Sequence, residues 1–293
     1  MTNEEEKTWY NELSSKLLEW SVKEMHEINQ LFLASFSHIE QLLNARKIGW
    51  GKTIFYGLFL TIILTLPITT DTWTTTTQVM DDVKTISKKV PDFSIKDGKL
   101  TPEKENEKGF IYQTNHIIFT FDPQGKRTEE DVENDATGEA ASVAFLKDKF
   151  LLALPGPYDG GVVYVAKSLP VSYDSAALKT ITGSQIRKAG TELQQPVWMF
   201  AIIYLMLFIP ALWSFVINIL ILGLGALIYN KMSFLPIKFG ESIKILVFAS
   251  TAPIILTTLL SFVYPGLDTD FVQLGMTLLI YLKAVRPLRQ PKV

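Results

Sequence analysis

The chain contains no cysteine and only three histidines among its 293 residues. The absence of cysteine excludes disulfides, thiolate nucleophiles and every metal site built on thiolate ligands. His26 and His38 are twelve residues apart, so they are not a ligand pair on adjacent helical turns, and His116 stands alone in the central part of the chain. We therefore expect no cofactor and no bound metal.

An excess of charge of one sign is also missing. Lys and Arg number 28 and Asp and Glu number 30, so the formal net charge is −2. This balance predicts neither a nucleic-acid partner nor a basic membrane anchor. The first residues, MTNEEEK, lack the basic stretch and short apolar core of a cleavable signal peptide. Apolar residues are abundant, at 47% of the chain.

Residues 197–229 form the longest apolar stretch, VWMFAIIYLMLFIPALWSFVINILILGLGALIY, which has no charged side chain. A run of more than about 18 apolar residues predicts a membrane-spanning helix, whereas the alternative, a buried core helix, is shorter and interrupted by polar positions. As a helix the stretch would measure about 50 Å, against a hydrocarbon core of about 30 Å. We favour one tilted helix, kinked near Pro210, over two spans.

Three further apolar segments complete the predicted membrane part. They cover residues 53–69, where Pro67 is expected to end the helix, 243–263 and 271–285. Basic residues precede the first span and recur in the loop 230–242 and the tail 286–293, whereas the short loop 264–270 has only acids among its charged residues. Basic residues accumulate on the cytoplasmic side of membrane proteins. The sequence therefore predicts four spans in the cell (plasma) membrane, with both termini in the cytoplasm.

Residues 1–52 are predicted to form a cytoplasmic amphipathic arm that is helical over residues 8–45. The apolar positions from Leu18 to Leu43 follow a 4-3-4-3 spacing, which is typical of a coiled-coil seam with Asn29 at a core position. Ile28, Leu33 and Leu42 widen the apolar stripe beyond such a seam. We therefore favour a helix that lies on the membrane surface or packs on the spanning helices.

Residues 70–196 are predicted to form an extracytoplasmic α+β domain built on an antiparallel sheet. A Thr-rich connector and a short helix at residues 79–89 come first. Asp97-Gly98 between alternating apolar residues then predicts a hairpin. Further strands follow, with a turn over Asp122–Gly125, a solvated acidic helix or loop at residues 129–139 and a hairpin at Lys147-Asp148. A last helix from Asp174 or Ser175 leads back to the membrane.

No set of residues in this domain predicts catalysis. Ser142, His116 and Asp122 could be assembled into a triad, but no nucleophile elbow surrounds the serine. The acids Asp81, Asp82, Asp92 and those of residues 129–135 lack the regular spacing of a metal-binding loop. We therefore expect that the chain is not an enzyme.

Polar side chains and prolines within the spans are the remaining candidates for intramembrane packing or binding. A buried asparagine in a span is costly unless it is paired with another helix. No Asp, Glu or Arg lies in the middle of a span, which argues against a proton-coupled transporter. We favour kinked, packing helices over a substrate site. The candidates are Asn218, Ser250, Thr251, Pro210 and Pro253.

Five segments carry a family resemblance: ARKIGWGKTIFY, VPDFSIKDGKL, IIFTFDPQGK, AFLKDKF and GESIKILVFASTAPIIL. In this order they resemble a bacterial membrane-protein family of unknown function, number 1189, over about residues 35–290. Some relatives carry the label maltodextrin utilisation protein MalA, which implies a link with carbohydrate uptake. The family has no established catalytic residues, so the resemblance implies none here.

Three hypotheses follow. The first is a non-enzymatic sensory, accessory or scaffolding membrane protein whose outside domain binds a ligand or partner. The second is an accessory component of carbohydrate uptake, and the third, which we favour least, is an extracellular hydrolase. The expected partners are the lipid bilayer, a membrane transporter or a cell-envelope component, and a second copy of the chain. We also expect residues 181–229 to form one nearly continuous rod from the outside domain through the membrane.

Overall fold

The computed structural model describes residues 26–105, 107–136, 140–154, 158–159, 162–163, 167–264 and 268–289. The chain divides into a helical unit of residues 1–71 and 200–293 and a sheet domain of residues 72–199. The first half of the predicted arm, the centre of the predicted loop 264–270 and the last four residues of the predicted tail lie outside the described residues.

The described part of the chain contains eight α-helices and two short 3₁₀ helices. The α-helices are α1 (26–34), α2 (Trp50–Ser87), α3 (Glu129–Asp135), α4 (Gly183–Thr191), α5 (Trp198–Met232), α6 (Phe239–Ala249), α7 (Thr251–Val263) and α8 (Asp270–Val285). The 3₁₀ helices cover Ile39–Lys47 and Arg286–Leu288. The arm is thus not the continuous helix predicted for residues 8–45, because its described part turns at residues 35–38.

In the part of the chain that the structure describes, four helical segments are long and apolar enough to cross a membrane. They are α2, α5, the joined α6 and α7 (Phe239–Val263), and α8 with its 3₁₀ extension (Asp270–Leu288). These four apolar helices indicate a membrane protein. Helix α5 runs for 35 residues through Pro210 without a break.

Helix α2 corrects the prediction that Pro67 ends the first span and that a connector and a separate short helix follow. Residues Trp50–Ser87 form one helix of 38 residues, with Pro67 inside it. The threonine hydroxyls of the predicted connector donate to carbonyls four residues back, as Thr76 does to Thr72 (2.7 Å) and Thr77 does to Trp73 (2.9 Å). These bonds satisfy the hydroxyls within the helix. Proline is also tolerated in spanning helices.

The predicted rod over residues 181–229 is wrong. Helix α4 ends at Thr191, and α5 begins at Trp198 after the irregular residues 192–197. Pro196 disfavours helical geometry at the residue before it. Helix α4 also starts later than expected, since Thr182 caps it and the chain from Asp174 forms turns.

The core of the helical unit draws on the arm as well as on the apolar helices. Leu42 and Ala45 of the first 3₁₀ helix are fully buried with Leu60 of α2, Leu246 of α6 and Ala284 of α8. The described part of the arm therefore packs on the spanning helices, which was one of the two arrangements favoured for its wide apolar stripe.

The sheet domain has nine strands within the described residues: β1 (Phe93–Lys96), β2 (Lys99–Pro102), β3 (Phe110–Gln113), β4 (Ile117–Asp122), β5 (Ala141–Leu146), β6 (Lys149–Leu154), β7 (Tyr158–Asp159), β8 (Val162–Val163) and β9 (Lys167–Ser172). The main sheet has the order β3-β4-β5-β6-β9, while β1 pairs with β2 and β7 pairs with β8. The hairpin predicted at Asp97-Gly98 is confirmed, with φ of 51° and 69° at its two turn residues. Positive φ at both positions is typical of a type I′ turn.

The expectation of an antiparallel sheet is wrong for one pair of strands, because β4 and β5 are parallel. The chain leaves β4, passes through α3 and returns to start β5 beside the start of β4. A parallel pair requires such a crossover, which a short hairpin loop cannot make.

Apolar side chains cover both faces of this sheet. On one face Phe119, Phe121 and Phe145 pack with Phe93 and with Ile86 from the end of α2. On the other face Ala144, Leu146 and Leu151 pack with Val132 of α3. All six residues of β4 are buried, so this strand is covered on both faces.

Candidate functional site

Three buried polar side chains join three helices of the helical unit. The Asn230 amide nitrogen, at the end of α5, donates to Ser242 Oγ of α6 (3.0 Å) and to the Tyr281 hydroxyl of α8 (2.8 Å). The Tyr281 hydroxyl donates in turn to Asn230 Oδ1 (3.0 Å). All three residues are at most 1% exposed. We call Asn230, Ser242 and Tyr281 the polar triad; it holds the helices together.

A second polar group lies where α6 and α7 meet. Pro253 has no N–H for the carbonyl four residues earlier and crowds it, so the helix breaks at Ser250. The Thr251 hydroxyl lies 2.7 Å from both the Phe248 carbonyl and the Tyr56 hydroxyl of α2. Ser35 Oγ of the arm accepts from the Ala252 N–H (2.9 Å). These bonds tie the broken helix to α2 and to the arm.

The structure brings together only some of the predicted intramembrane candidates. Ser250, Thr251 and Pro253 share the break between α6 and α7. Asn218 is half-buried and makes no side-chain hydrogen bond within the described part of the chain, and Pro210 is exposed on α5. The polar triad is not among the residues predicted from the sequence, although Asn230 directly follows the predicted second span. A polar residue at the end of a span is usual at the membrane surface, so the sequence contains no signal of its burial.

The suggested triad of Ser142, His116 and Asp122 does not form. His116 Nδ1 lies 2.9 Å from Asp82 Oδ2, and the same oxygen accepts the His116 backbone N–H (3.1 Å). The Asp122 carboxylate accepts from the backbone N–H groups of Gly125 (3.1 Å) and Arg127 (2.7 Å) and so holds the turn after β4. Ser142 Oγ is buried and has no hydrogen-bond partner among the described residues.

The acidic residues considered as metal ligands have other partners. Asp81 pairs with Lys84 (2.9 Å), Asp82 with His116, and Asp92 with Arg187. Within the described ranges no three His, Asp or Glu side chains are grouped so that they could hold a metal ion.

The acids of α3 stabilise the helix and its packing. The side chains of Thr128 and Asp131 form a capping box at the start of α3, and its hydrogen bonds lower the pKa of Asp131. Glu129 accepts from Ser168 of β9 (2.9 Å) and from Lys149 of β6 (3.2 Å). The bond from Ser168, followed by that from Lys149, lowers the pKa of Glu129.

A polar cleft of about 400 Å³ lies beside the edge strand β3. Three basic side chains and the last residues of β4 line it. We call it the basic cleft and define it by Lys108, Ile111, Thr120, Asp122, Lys126 and Arg127. Thr120 is 1% exposed, and its hydroxyl has no hydrogen-bond partner among the described residues. The combination of this unpartnered hydroxyl with the basic side chains, which Ser142 lacks, marks the cleft as a candidate binding site.

The sequence model of the family described as "Protein of unknown function (DUF1189)" matches residues 29–285. This range covers most of the chain, so the chain belongs to this family. It includes the polar triad, the break between α6 and α7, and the basic cleft. No curated protein and no solved structure matches the chain.

Proposed function

We propose that this protein is a non-enzymatic sensory, accessory or scaffolding protein of the plasma membrane, whose sheet domain binds a ligand or partner outside the cell. Helix α2 is the observation that carries the proposal. It contributes Tyr56 and Leu60 to the core of the helical unit and Ile86 to the core of the sheet domain. One unbroken helix therefore begins in the apolar helical unit and ends in the sheet domain, which contains the candidate binding site.

The orientation rests on the charged residues beside the spans. Arg46 and Lys47 precede α2, and Lys231 and Lys238 lie near the connection between α5 and α6. Positive residues of short loops stay in the cytoplasm, while long loops are translocated whatever their charge. With four spans, both termini are then cytoplasmic and residues 72–199 face outwards.

The proposal that the protein is not an enzyme is supported by the hydrogen bonds of its polar side chains, which are made to other parts of the domain. His116 and Asp82 join the start of β4 to α2, and Asp122 shapes a turn. A general base must reach a substrate proton or a nucleophile. These side chains instead hold elements of the domain together.

Photo-crosslinking in native membranes tests the proposal. A photoreactive residue replaces Ile111 beside the basic cleft, and a matched one replaces Leu169 on the opposite edge strand; the two side chains are 53% and 50% exposed. We expect a defined envelope component to be captured from position 111 and not from position 169. Capture of a sugar-transporter subunit would assign the partner to carbohydrate uptake.

Deletion of residues 75–190 is the second part of this experiment. The deletion removes positions 111 and 169, so co-purification replaces crosslinking as the measurement. We expect the shortened chain to insert into the membrane and no longer to co-purify with the component captured from position 111. Co-purification of that component with the shortened chain, or equal crosslinked products from positions 111 and 169 of the full chain, would contradict the proposed role of the sheet domain.

A further inference from the structure

We propose that the basic cleft binds a phosphate group, presented by a free phosphate compound or by a lipid headgroup. This inference rests on the proposed function, since it names the ligand class of the sheet domain. The cleft has three features of a phosphate site: open space, uncompensated positive charge and a buried hydroxyl without a partner.

The open space follows from the position of β3 at the edge of the sheet. Strand β3 pairs with β4 on one side only. Gly109, just before β3, lies so close to β4 that an added Cβ would be 3.0 Å from the Phe121 carbonyl oxygen. The chain before β3 therefore lies directly against β4, and the side chains of Lys108 and Ile111 line the cleft beside it.

The positive charge comes mainly from two lysines. Lys108 and Lys126 are exposed, and neither forms an ion pair with any described residue. Arg127 is held in place, since Nη1 lies 2.9 Å from Asp135 Oδ2 and Nη2 donates to the Asp131 carbonyl (3.1 Å). Asp122 is the acid of the cleft, and both of its oxygens accept backbone N–H groups of the turn that carries Lys126. The two lysines are thus available to an anion.

The number of donors favours phosphate over a carboxylate. The hydroxyl of Thr120 and the ammonium groups of Lys108 and Lys126 are three donors that no other described group uses. A phosphate monoester presents three strong acceptor oxygens and carries about −1.5 to −2 charges at pH 7, whereas a carboxylate presents two oxygens and one charge. Lysine binds phosphate as a point charge without a fixed geometry, which suits two mobile side chains on a cleft wall.

Titration calorimetry on the full-length protein in detergent tests the inference. The probes are inorganic phosphate, dihexanoyl phosphatidic acid, whose headgroup is a phosphate monoester, and dihexanoyl phosphatidylcholine, with acetate at matched ionic strength as the carboxylate control. Saturable binding of inorganic phosphate assigns a free phosphate compound as the ligand. Binding of the phosphatidic acid alone assigns a lipid headgroup.

Two pairs of substitutions connect the binding to the cleft. Lys108→Gln with Lys126→Gln should weaken binding at least about tenfold, the effect of losing one charged hydrogen bond. Lys96→Gln with Lys99→Gln is the matched control, because these lysines are exposed on the β1–β2 hairpin outside the cleft. Equal affinities of the two variants, or equal binding of acetate and phosphate, would overturn the inference.

Thr120→Val separates a ligand contact from a simple packing defect. It preserves the side-chain shape and removes the unpartnered hydroxyl, so we expect the ligand-free protein to be at least as stable and phosphate to bind severalfold more weakly. Unchanged binding would show that the hydroxyl is not a ligand contact. If no probe binds while the crosslink from position 111 persists, the phosphate inference fails and the proposed binding function stands.

Discussion

At the scale of single residues, the buried polar side chains of the helical unit form hydrogen bonds with one another. The polar triad joins α5, α6 and α8, while Thr251 bonds to Tyr56 and joins α7 to α2. Each group satisfies the hydrogen bonds of its neighbours in surroundings that offer few other partners. The triad therefore determines how these helices meet more than it adds net stability.

Removal of Asn230 should leave Ser242 and Tyr281 with each other (Oγ to hydroxyl, 2.9 Å) but without their bonds to the amide. We expect Asn230→Ala to lower the free energy of unfolding by about 1–2 kcal/mol, because Ser242 and Tyr281 keep buried hydroxyls with fewer bonds. The measurement is unfolding of the purified protein by SDS titration in mixed micelles. Asn218→Ala is the matched control, since that asparagine is half-buried and lacks a hydrogen-bonded partner within the described residues. Equal losses for both variants would contradict a special role for the triad.

At the scale of elements, α3 illustrates how a short helix is held on a sheet. It has seven residues and buries only Val132 fully, so its packing area is small. Ser168 Oγ of β9 lies within hydrogen-bond distance of both the Glu129 and the Glu133 carboxylates, and its single O–H donates to one of them at a time. Lys149 of β6 donates to Glu129. Charged hydrogen bonds therefore supplement the limited apolar contact of this helix.

The docking of α3 should weaken in acid. Because hydrogen bonds lower the pKa of Glu129 in the folded protein, its stabilisation is complete above the ordinary glutamate pKa of about 4.3 and is lost as the pH falls through the lowered value. Glu129→Gln should remove this dependence and, at pH 7, speed amide exchange of residues 129–135 about two- to fivefold. Hydrogen-exchange mass spectrometry, corrected for intrinsic rates, measures it. Glu130→Gln, an exposed neighbour, should leave exchange unchanged; an equal effect there would argue against the specific bond.

Elements that are specified by neighbouring residues were predictable from the sequence. Elements that depend on contacts between residues far apart in the sequence were not. The Asp97-Gly98 hairpin follows from turn residues that need positive φ. The parallel pairing of β4 with β5 depends on a crossover and on packing of α3, which no short segment encodes. The same holds for the candidate site. The positive charge of Lys108 and Lys126 can be read from the sequence, but the burial of the Thr120 hydroxyl without a partner cannot.

At the scale of the whole molecule, the proposed orientation determines which compounds can reach the sheet domain. Along the chain, α5 lies between the sheet domain and the connection from α5 to α6. If the proposed orientation holds, the basic cleft is exposed to compounds outside the cell. The connection between α5 and α6 then faces the cytoplasm.

Cysteine labelling tests this orientation without background, because the chain has no cysteine. Lys99→Cys places a thiol on the exposed edge of β2, and Phe234→Cys replaces a side chain that is 93% exposed between α5 and α6. We expect a membrane-impermeant maleimide to label position 99 in intact cells and position 234 only after permeabilisation. The opposite pattern would invert the topology and move the basic cleft into the cytoplasm.

The sequence by itself determined the number of apolar segments, the position of the sheet domain between the first two and the main turns of that domain. Hydropathy and turn chemistry are properties of neighbouring residues, so they can be recognised without a fold. Only the tertiary structure decided that α2 continues through Pro67, that β4 and β5 run parallel, and that Asn230 meets Tyr281, 51 residues further along the chain. These features depend on contacts and hydrogen bonds between residues that are far apart in the sequence. Such contacts form only when the whole chain packs.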